Sequence, residues 1–164
     1  MYVAAEIALP QRLQLERDDS WLQDILRGIW NRHFEDTPLV NTIRVSFGPA
    51  WKARLGLITL SEDQRTTYIE INGLLRLPAV PECVVNVTVA HELVHYVHGF
   101  GSPLPRRYKY PHRGGIVKHE LVRRGLYLEY RQYDNWIYNH WYDFYDSLLP
   151  ANQNFRPTSA EASA

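Results

Sequence analysis

Residues 88–99 read TVAHELVHYVHG, and the order H-E-x-x-H inside them brings His91, Glu92 and His95 together on a stretch whose other residues are apolar. An α-helix completes a turn in about 3.6 residues, so side chains four apart stand one above the other on the same face, about 6 Å apart along the axis. Two imidazoles at that spacing can share one metal ion. A glutamate directly after the first of them reaches a water on that ion and can act as a general base. Val87, Val89, Ala90, Leu93, Val94 and Val97 surround the polar triplet. The helix is therefore enclosed on most sides, where unpaired polar groups are costly. The pattern points to a metal-dependent hydrolytic site rather than to a core helix with incidental histidines.

Working outward, Pro81 can open this helix at its first turn, and Gly99 and Gly101 are natural stops beyond it. Upstream, Asp18, Asp19 or Ser20 can cap a helix in which Trp21, Leu22, Ile25, Leu26, Ile29 and Trp30 recur at helical spacing down to Phe34. Three strands are predicted between the two helices, at Thr42 to Phe47, Arg54 to Ser61 and Thr66 to Asn72. The first alternates and should bury one face. The second has Leu55, Leu57, Ile58 and Leu60 on both faces, which reads as a central strand. The third alternates Tyr68, Glu70 and Asn72 against Ile69 and Ile71, which reads as an edge that an extended peptide can join. The short polar linker between the last two makes them a hairpin.

Downstream, residues 99–115 carry four glycines and three prolines and must be a loop. A helix from Ile116 to Tyr130 and another through the aromatic run from Tyr133 follow, with Trp136, Tyr138, Trp141, Phe144, Tyr145 and Leu148 as a core stripe. The fold class is thus α+β: an N-terminal helix, a small three-stranded sheet, the H-E-x-x-H helix and two C-terminal helices. Residues 18–150 read as one domain, residues 1–17 as a lead-in, and residues 151–164 as a flexible tail.

A chain of 164 residues suffices for one core, and 45% hydrophobic with 22% charged residues is an ordinary globular composition. The single cysteine, Cys83, excludes an internal disulfide and a thiolate metal site, and leans towards a reducing compartment. With no signal-like start and no run that approaches a membrane span, the expectation is a soluble cytoplasmic protein. Eighteen basic residues balance eighteen acidic ones, so net charge does not mark a nucleic-acid binder. From Arg106 to Arg131, however, eight basic residues face two acidic ones. Arg106, Arg107, Lys109 and Arg113 are the candidate nucleic-acid contacts.

A catalytic zinc takes three protein ligands and an open position, so His91 and His95 need a third. His98 is about 10 Å along the helix axis from His91 and cannot share its ion. His140 belongs to the aromatic helix. His112, at the end of the long loop, and Glu120, in the helix after it, remain, and geometry alone does not choose between them.

The leading helix, a strand pair carrying Arg54-Leu55-Gly56, the I-x-I-N strand from Ile69 to Asn72, HELVH, a loop and a histidine opening a further helix together resemble the SprT-like zinc metallopeptidases, over roughly residues 20–130. The resemblance implies a compact zincin-like fold, one zinc ion per chain, His112 as third ligand and peptidase activity, in some members on proteins crosslinked to DNA. The chain departs from the family in two places. It has His112-Arg113-Gly114-Gly115 where many members have an H-G pair, and no cysteine-rich zinc ribbon can be built from one cysteine. In the gluzincins a glutamate of the later helix is the ligand, which keeps Glu120 as the alternative. The expected reaction is peptide-bond hydrolysis with Glu92 as general base and a peptide or protein as partner. His119, Tyr108 and Tyr110 are candidates for steadying the oxyanion. The rival expectation is a zinc-containing protein- or DNA-binding domain with little hydrolysis.

Overall fold

The computed structural model describes residues 17–149. Apart from Arg17, the expected lead-in lies outside the described residues, as does the expected tail. Arg17 is docked: its guanidinium donates to the carbonyls of Leu75 and Val80, both at 2.9 Å. Asp18 then caps α1 (Asp19–His33), its carboxylate accepting from the Trp21 amide at 2.8 Å and so satisfying a donor that a helix start leaves free. Leu22, Leu26 and Ile29 fall on one face and are buried, and the helix ends on the fully buried Phe34.

The three strands are β1 (Thr42–Phe47), β2 (Gly56–Leu60) and β3 (Thr66–Ile71). Their order in the sheet is β1-β3-β2, with β1 parallel and β2 antiparallel to β3. The hairpin of β2 and β3 is as expected, but the central and edge roles are exchanged. β3 lies in the middle, and Thr67, Ile69 and Ile71 on its inner face are fully buried. β2 is the edge. Its apolar residues follow from a different cause than a central position: Leu55, Leu57 and Ile58 form one wall of a cleft. Asn72, also fully buried, donates to the carbonyls of Trp51 (2.6 Å) and Arg54 (2.9 Å) and accepts from the Leu74 amide (3.0 Å). That one amide side chain fixes the segment from which β2 starts.

The central element is α2 (Glu82–Val97). Val84, Val85, Val87 and Val89 would favour a strand on propensity, yet they are helical because the element is enclosed by the sheet and by three helices. Gly99, at φ +80°, ends it in the left-handed region that a side chain disfavours, and the Phe100 amide closes the last turn on the His95 carbonyl at 2.9 Å.

After the loop come α3 (Ile116–Arg123), α4 (Tyr127–Trp136) and α5 (Tyr142–Ser147). The break between the C-terminal helices is not beyond Tyr130 as the sequence suggested. Gly125, at φ +85°, turns the chain there and α4 starts two residues later. A π-type turn at Ile137–Trp141 joins α4 to α5 in one continuous helix. Among the described residues no helix is long and apolar enough to cross a membrane.

Glu120 is engaged within the fold. Its carboxylate accepts from Arg123 (2.7 and 3.1 Å) and Arg124 (2.8 Å). Arg124 also donates to Asp36 (2.6 Å) and to the His33 carbonyl (2.7 Å), and its guanidinium lies 4.4 Å from the Phe34 ring centroid. The side chain of Arg124 is 4% exposed and that of Arg123 58%. Removing one partner of an enclosed ion pair leaves an uncompensated charge, whereas an exposed pair contributes little. Arg124→Ala leaves Glu120 with Arg123 alone and is expected to lower stability by about 1–3 kcal/mol, and Arg123→Ala by less than about 1 kcal/mol. Urea unfolding monitored by circular dichroism distinguishes the two.

Candidate metal centre

α2 presents His91 and His95 one turn apart, and the loop after it reverses so that His112 meets them. The Nε2 atoms of the three rings lie 3.1 Å (His91 to His95), 2.9 Å (His95 to His112) and 3.3 Å (His91 to His112) apart. Among the described residues these three form the group that can hold a metal ion. Three neutral Nε2 atoms in a triangle cannot all hydrogen-bond to one another. Whatever the tautomers, at least one contact sets two N–H groups or two lone pairs face to face. A cation among them removes that conflict. A tetrahedral ion with bonds of 2.0–2.1 Å to nitrogen separates its ligand atoms by about 3.3–3.4 Å, so the observed triangle is near the size required. His95 Nδ1 is buried with no hydrogen-bond partner among the described residues, none of which therefore fixes which nitrogen carries the proton. Occupancy of Nε2 would fix it.

The electrostatics suit metal ligands. Burial, reinforced by His112, pulls the His91 imidazolium down to about 4. Burial, with His91, His112 and His98 adding to it, pulls His95 down to about 3. Both rings are thus held neutral, with a lone pair to offer. Glu92 is 4% exposed and has no hydrogen bond or ion pair within the described residues. Burial pushes its carboxyl up to about 8, against the opposing charge of Arg54.

These shifts predict the pH profile of the metal-free protein. Between about pH 4.5 and 6.5 the unfolded chain protonates both histidines while the folded one protonates only Glu92, so folding gains as pH rises. From 6.5 to about 8 the histidines no longer contribute, and the folded state alone retains the Glu92 proton, so folding loses as pH rises. Thermal melts in a chelator should give maximal stability near pH 6.5. A monotonic profile across this range would contradict the assignment.

The site opens into a cleft of about 560 Å³ between β2 and the C-terminal helix. On one side Gly56 brings the strand backbone against Glu92: a methyl group there would stand 2.5 Å from Glu92 Oε1. Gly56→Ala must therefore displace the Glu92 carboxylate. Metal content, read by elemental analysis, should stay unchanged, and any turnover that depends on Glu92 should fall by up to roughly 10²-fold, the cost of a misplacement of about 1 Å. On the other side stand Tyr133, Ile137, Trp141 and Tyr142. Eight residues of α-helix would set Trp141 roughly 80° round from Tyr133, and the one extra residue taken up by the π-type turn brings the two to within about 20°. The turn thus aligns them on the cleft. Trp141 Nε1 donates to the Lys52 carbonyl at 2.7 Å and latches this wall to the segment before β2.

The other residues singled out from sequence lie elsewhere. His98 is buried with its ring edge-on to Tyr108 at 4.8 Å. His119 and His140 are exposed. Tyr108 and Tyr110 are exposed on the loop, and neither lines the cleft. Arg106 covers the Phe100 ring at 4.8 Å, and Lys109 and Arg113 each lie 5.4 Å from the Tyr110 ring. Arg107 joins the loop through its amide, which donates to the His98 carbonyl at 3.0 Å. Burial alone would raise the Glu120 carboxyl, but the bonds from Arg123 and Arg124 outweigh it and hold it low. Gly56 entered the sequence reading only as part of a strand motif and Tyr133 only as the start of the aromatic run; neither was singled out for the cleft that both line. For Tyr133 the signal was its spacing of four from Ile137 and eight from Trp141, of which only Trp141 was read, as part of a core stripe.

Comparison with protein-family models, with characterised proteins and with solved structures finds no match to this chain.

Proposed function

We propose that this protein is a zinc-dependent peptidase of the SprT-like type, with His91, His95 and His112 holding one zinc ion and Glu92 as general base. The observation that carries the reading is the convergence of three Nε2 atoms beside a buried carboxylate that has no hydrogen-bond partner among the described residues. Three imidazoles with no thiolate suit zinc, whereas calcium and magnesium prefer oxygen ligands. When bound, zinc acidifies a water and polarises a carbonyl oxygen.

The remaining work falls to the chain. Gly56, Ile58 and Leu60 turn their N–H and C=O groups away from β3, because Leu55 and Ser61 make the bonds to Asn72 and Thr66 and the ladder alternates. An extended peptide adds to that free edge and lies across the cleft. This is the edge role expected of the third strand, assigned instead to the second. Glu92 takes the proton of the attacking water and delivers it to the leaving amine. The carboxyl pKa of about 8 belongs to the metal-free site; beside a zinc ion that value falls, which leaves the carboxylate ionised to accept the proton near neutrality. A cytoplasmic location belongs to the same reading.

The test is incubation of the zinc-loaded protein with an unfolded protein such as reduced, alkylated casein, with fragments identified by mass spectrometry. Cleavage that o-phenanthroline abolishes and added zinc restores is expected. One zinc per chain with no fragments would leave the binding-domain alternative, and no zinc at all would overturn both.

A second reading has one observation in its favour. Arg106, Arg107, Lys109 and Arg113 pair with no carboxylate among the described residues, and they interleave with tyrosines beside His112. Cations with exposed rings suit single-stranded DNA. Fluorescence anisotropy with a labelled oligonucleotide should show binding at low salt that weakens steeply as salt rises.

A further inference from the structure

Acyl transfer places negative charge on the scissile carbonyl oxygen, and a fixed hydrogen-bond donor there is among the larger contributions to rate. The three donors expected from sequence are outside the cleft. Within it, the Thr88 hydroxyl is already committed to the Val84 carbonyl at 2.7 Å, and Arg54 is exposed at the mouth. Tyr142 is 53% exposed. Tyr133 differs from all of these. It is half-buried in the cleft wall on α4, which packs along α2, and its hydroxyl has no hydrogen-bond partner among the described residues. The latch between Trp141 and Lys52 holds the helix that carries it.

We propose that the Tyr133 hydroxyl donates the hydrogen bond that stabilises the oxyanion forming on the scissile carbonyl. The inference rests on the peptidase reading of the same cleft. In the step, the water oxygen bonds to the carbonyl carbon as the π pair moves onto the carbonyl oxygen. Glu92 takes the water proton, and Tyr133 keeps its own while donating a hydrogen bond to the new anion. Collapse restores the C=O bond, breaks the C–N bond and returns the proton from Glu92 to the amine. Burial, with Tyr130, Asp134 and Glu92 adding to it, pushes the Tyr133 phenol up to about 12. The hydroxyl therefore stays protonated and remains a donor throughout the neutral range.

Tyr133→Phe removes the donor and keeps the ring. In the zinc-loaded variant kcat should fall roughly 10²-fold with KM unchanged. Calorimetry supplies a readout apart from turnover. The affinity for a phosphinic peptide, whose tetrahedral anion imitates the oxyanion, should fall by a similar factor, while affinity for the cleaved peptide products holds. Zinc content and melting temperature equal to wild type exclude a folding defect, and Tyr130→Phe, outside the cleft, should behave as wild type. A Tyr133→Phe enzyme with wild-type kcat and wild-type phosphinate affinity overturns the proposal and leaves the peptidase reading intact. A wild-type protein that neither cleaves peptides nor binds the phosphinate overturns both.

Discussion

Glu92→Gln should bind zinc as the wild type does and lose nearly all turnover, with kcat/KM lower by about 10²–10⁴-fold, the range that a positioned general base contributes. The substitution isolates one property. Glutamine matches glutamate in shape, so the fit against Gly56 is kept, and the carboxylate makes no bond within the described residues that an amide would break. Folding should not suffer. A carboxyl whose pKa burial has pushed up to about 8 is a destabilising group near neutrality, and an uncharged amide relieves that cost. The metal-free variant should accordingly melt at the same temperature as wild type or higher at pH 7.5. Its stability should also stop falling between pH 6.5 and 8, since the group responsible for that slope is gone. Equal zinc content with persistent cleavage would remove Glu92 from the reaction. Loss of zinc would mean that the carboxylate supports the metal rather than the water.

What could be read from the sequence divides by the distance over which each feature is decided. His91 and His95 follow from a spacing of four on one helix, and the core faces of α1, β1 and α2 follow from local periodicity; such features need no knowledge of the rest of the chain. The ends of elements were legible where a glycine or a cap set them, as at Asp18 and Gly99. They were missed where two signals competed, as at Gly125, where the apolar pattern continues through a left-handed residue. Strand order was not legible. The two-sided apolar pattern of β2 looks the same whether a strand is buried between neighbours or forms one side of a cleft, and only the parallel pairing of β1 with β3 decides which holds. Tyr133 was hidden for a related reason. A stripe at helical spacing reports that a helix face is covered, not whether it is covered by core or by a space shaped for a substrate. The π-type turn that aligns the wall carries no pattern of its own.

The third ligand is the point on which sequence stayed open and for which the geometry makes a sharp prediction. His112→Ala should lower zinc affinity by roughly 10²–10³-fold, taking about 3–4 kcal/mol per ligand from the binding free energies of structural zinc sites. The variant should be isolated with little metal. Its fold should persist, because His112 is exposed and contributes no packing to the core, whereas His91 and His95 sit on the enclosed helix. Glu120→Ala should do the reverse. The carboxylate lies against Arg123 and Arg124, so its removal leaves the enclosed Arg124 guanidinium with Asp36 as its remaining carboxylate partner and weakens the tie between α3 and the end of α1. That variant should melt earlier and still carry one zinc per chain. Measured side by side, elemental analysis and thermal melts therefore give opposite signatures for the two residues. Zinc lost at Glu120 and kept at His112 would mean that the imidazole triangle is not the metal site. In that case the chain would bind its ion as the gluzincins do, and α3 would have to release Glu120 from both arginines to reach it.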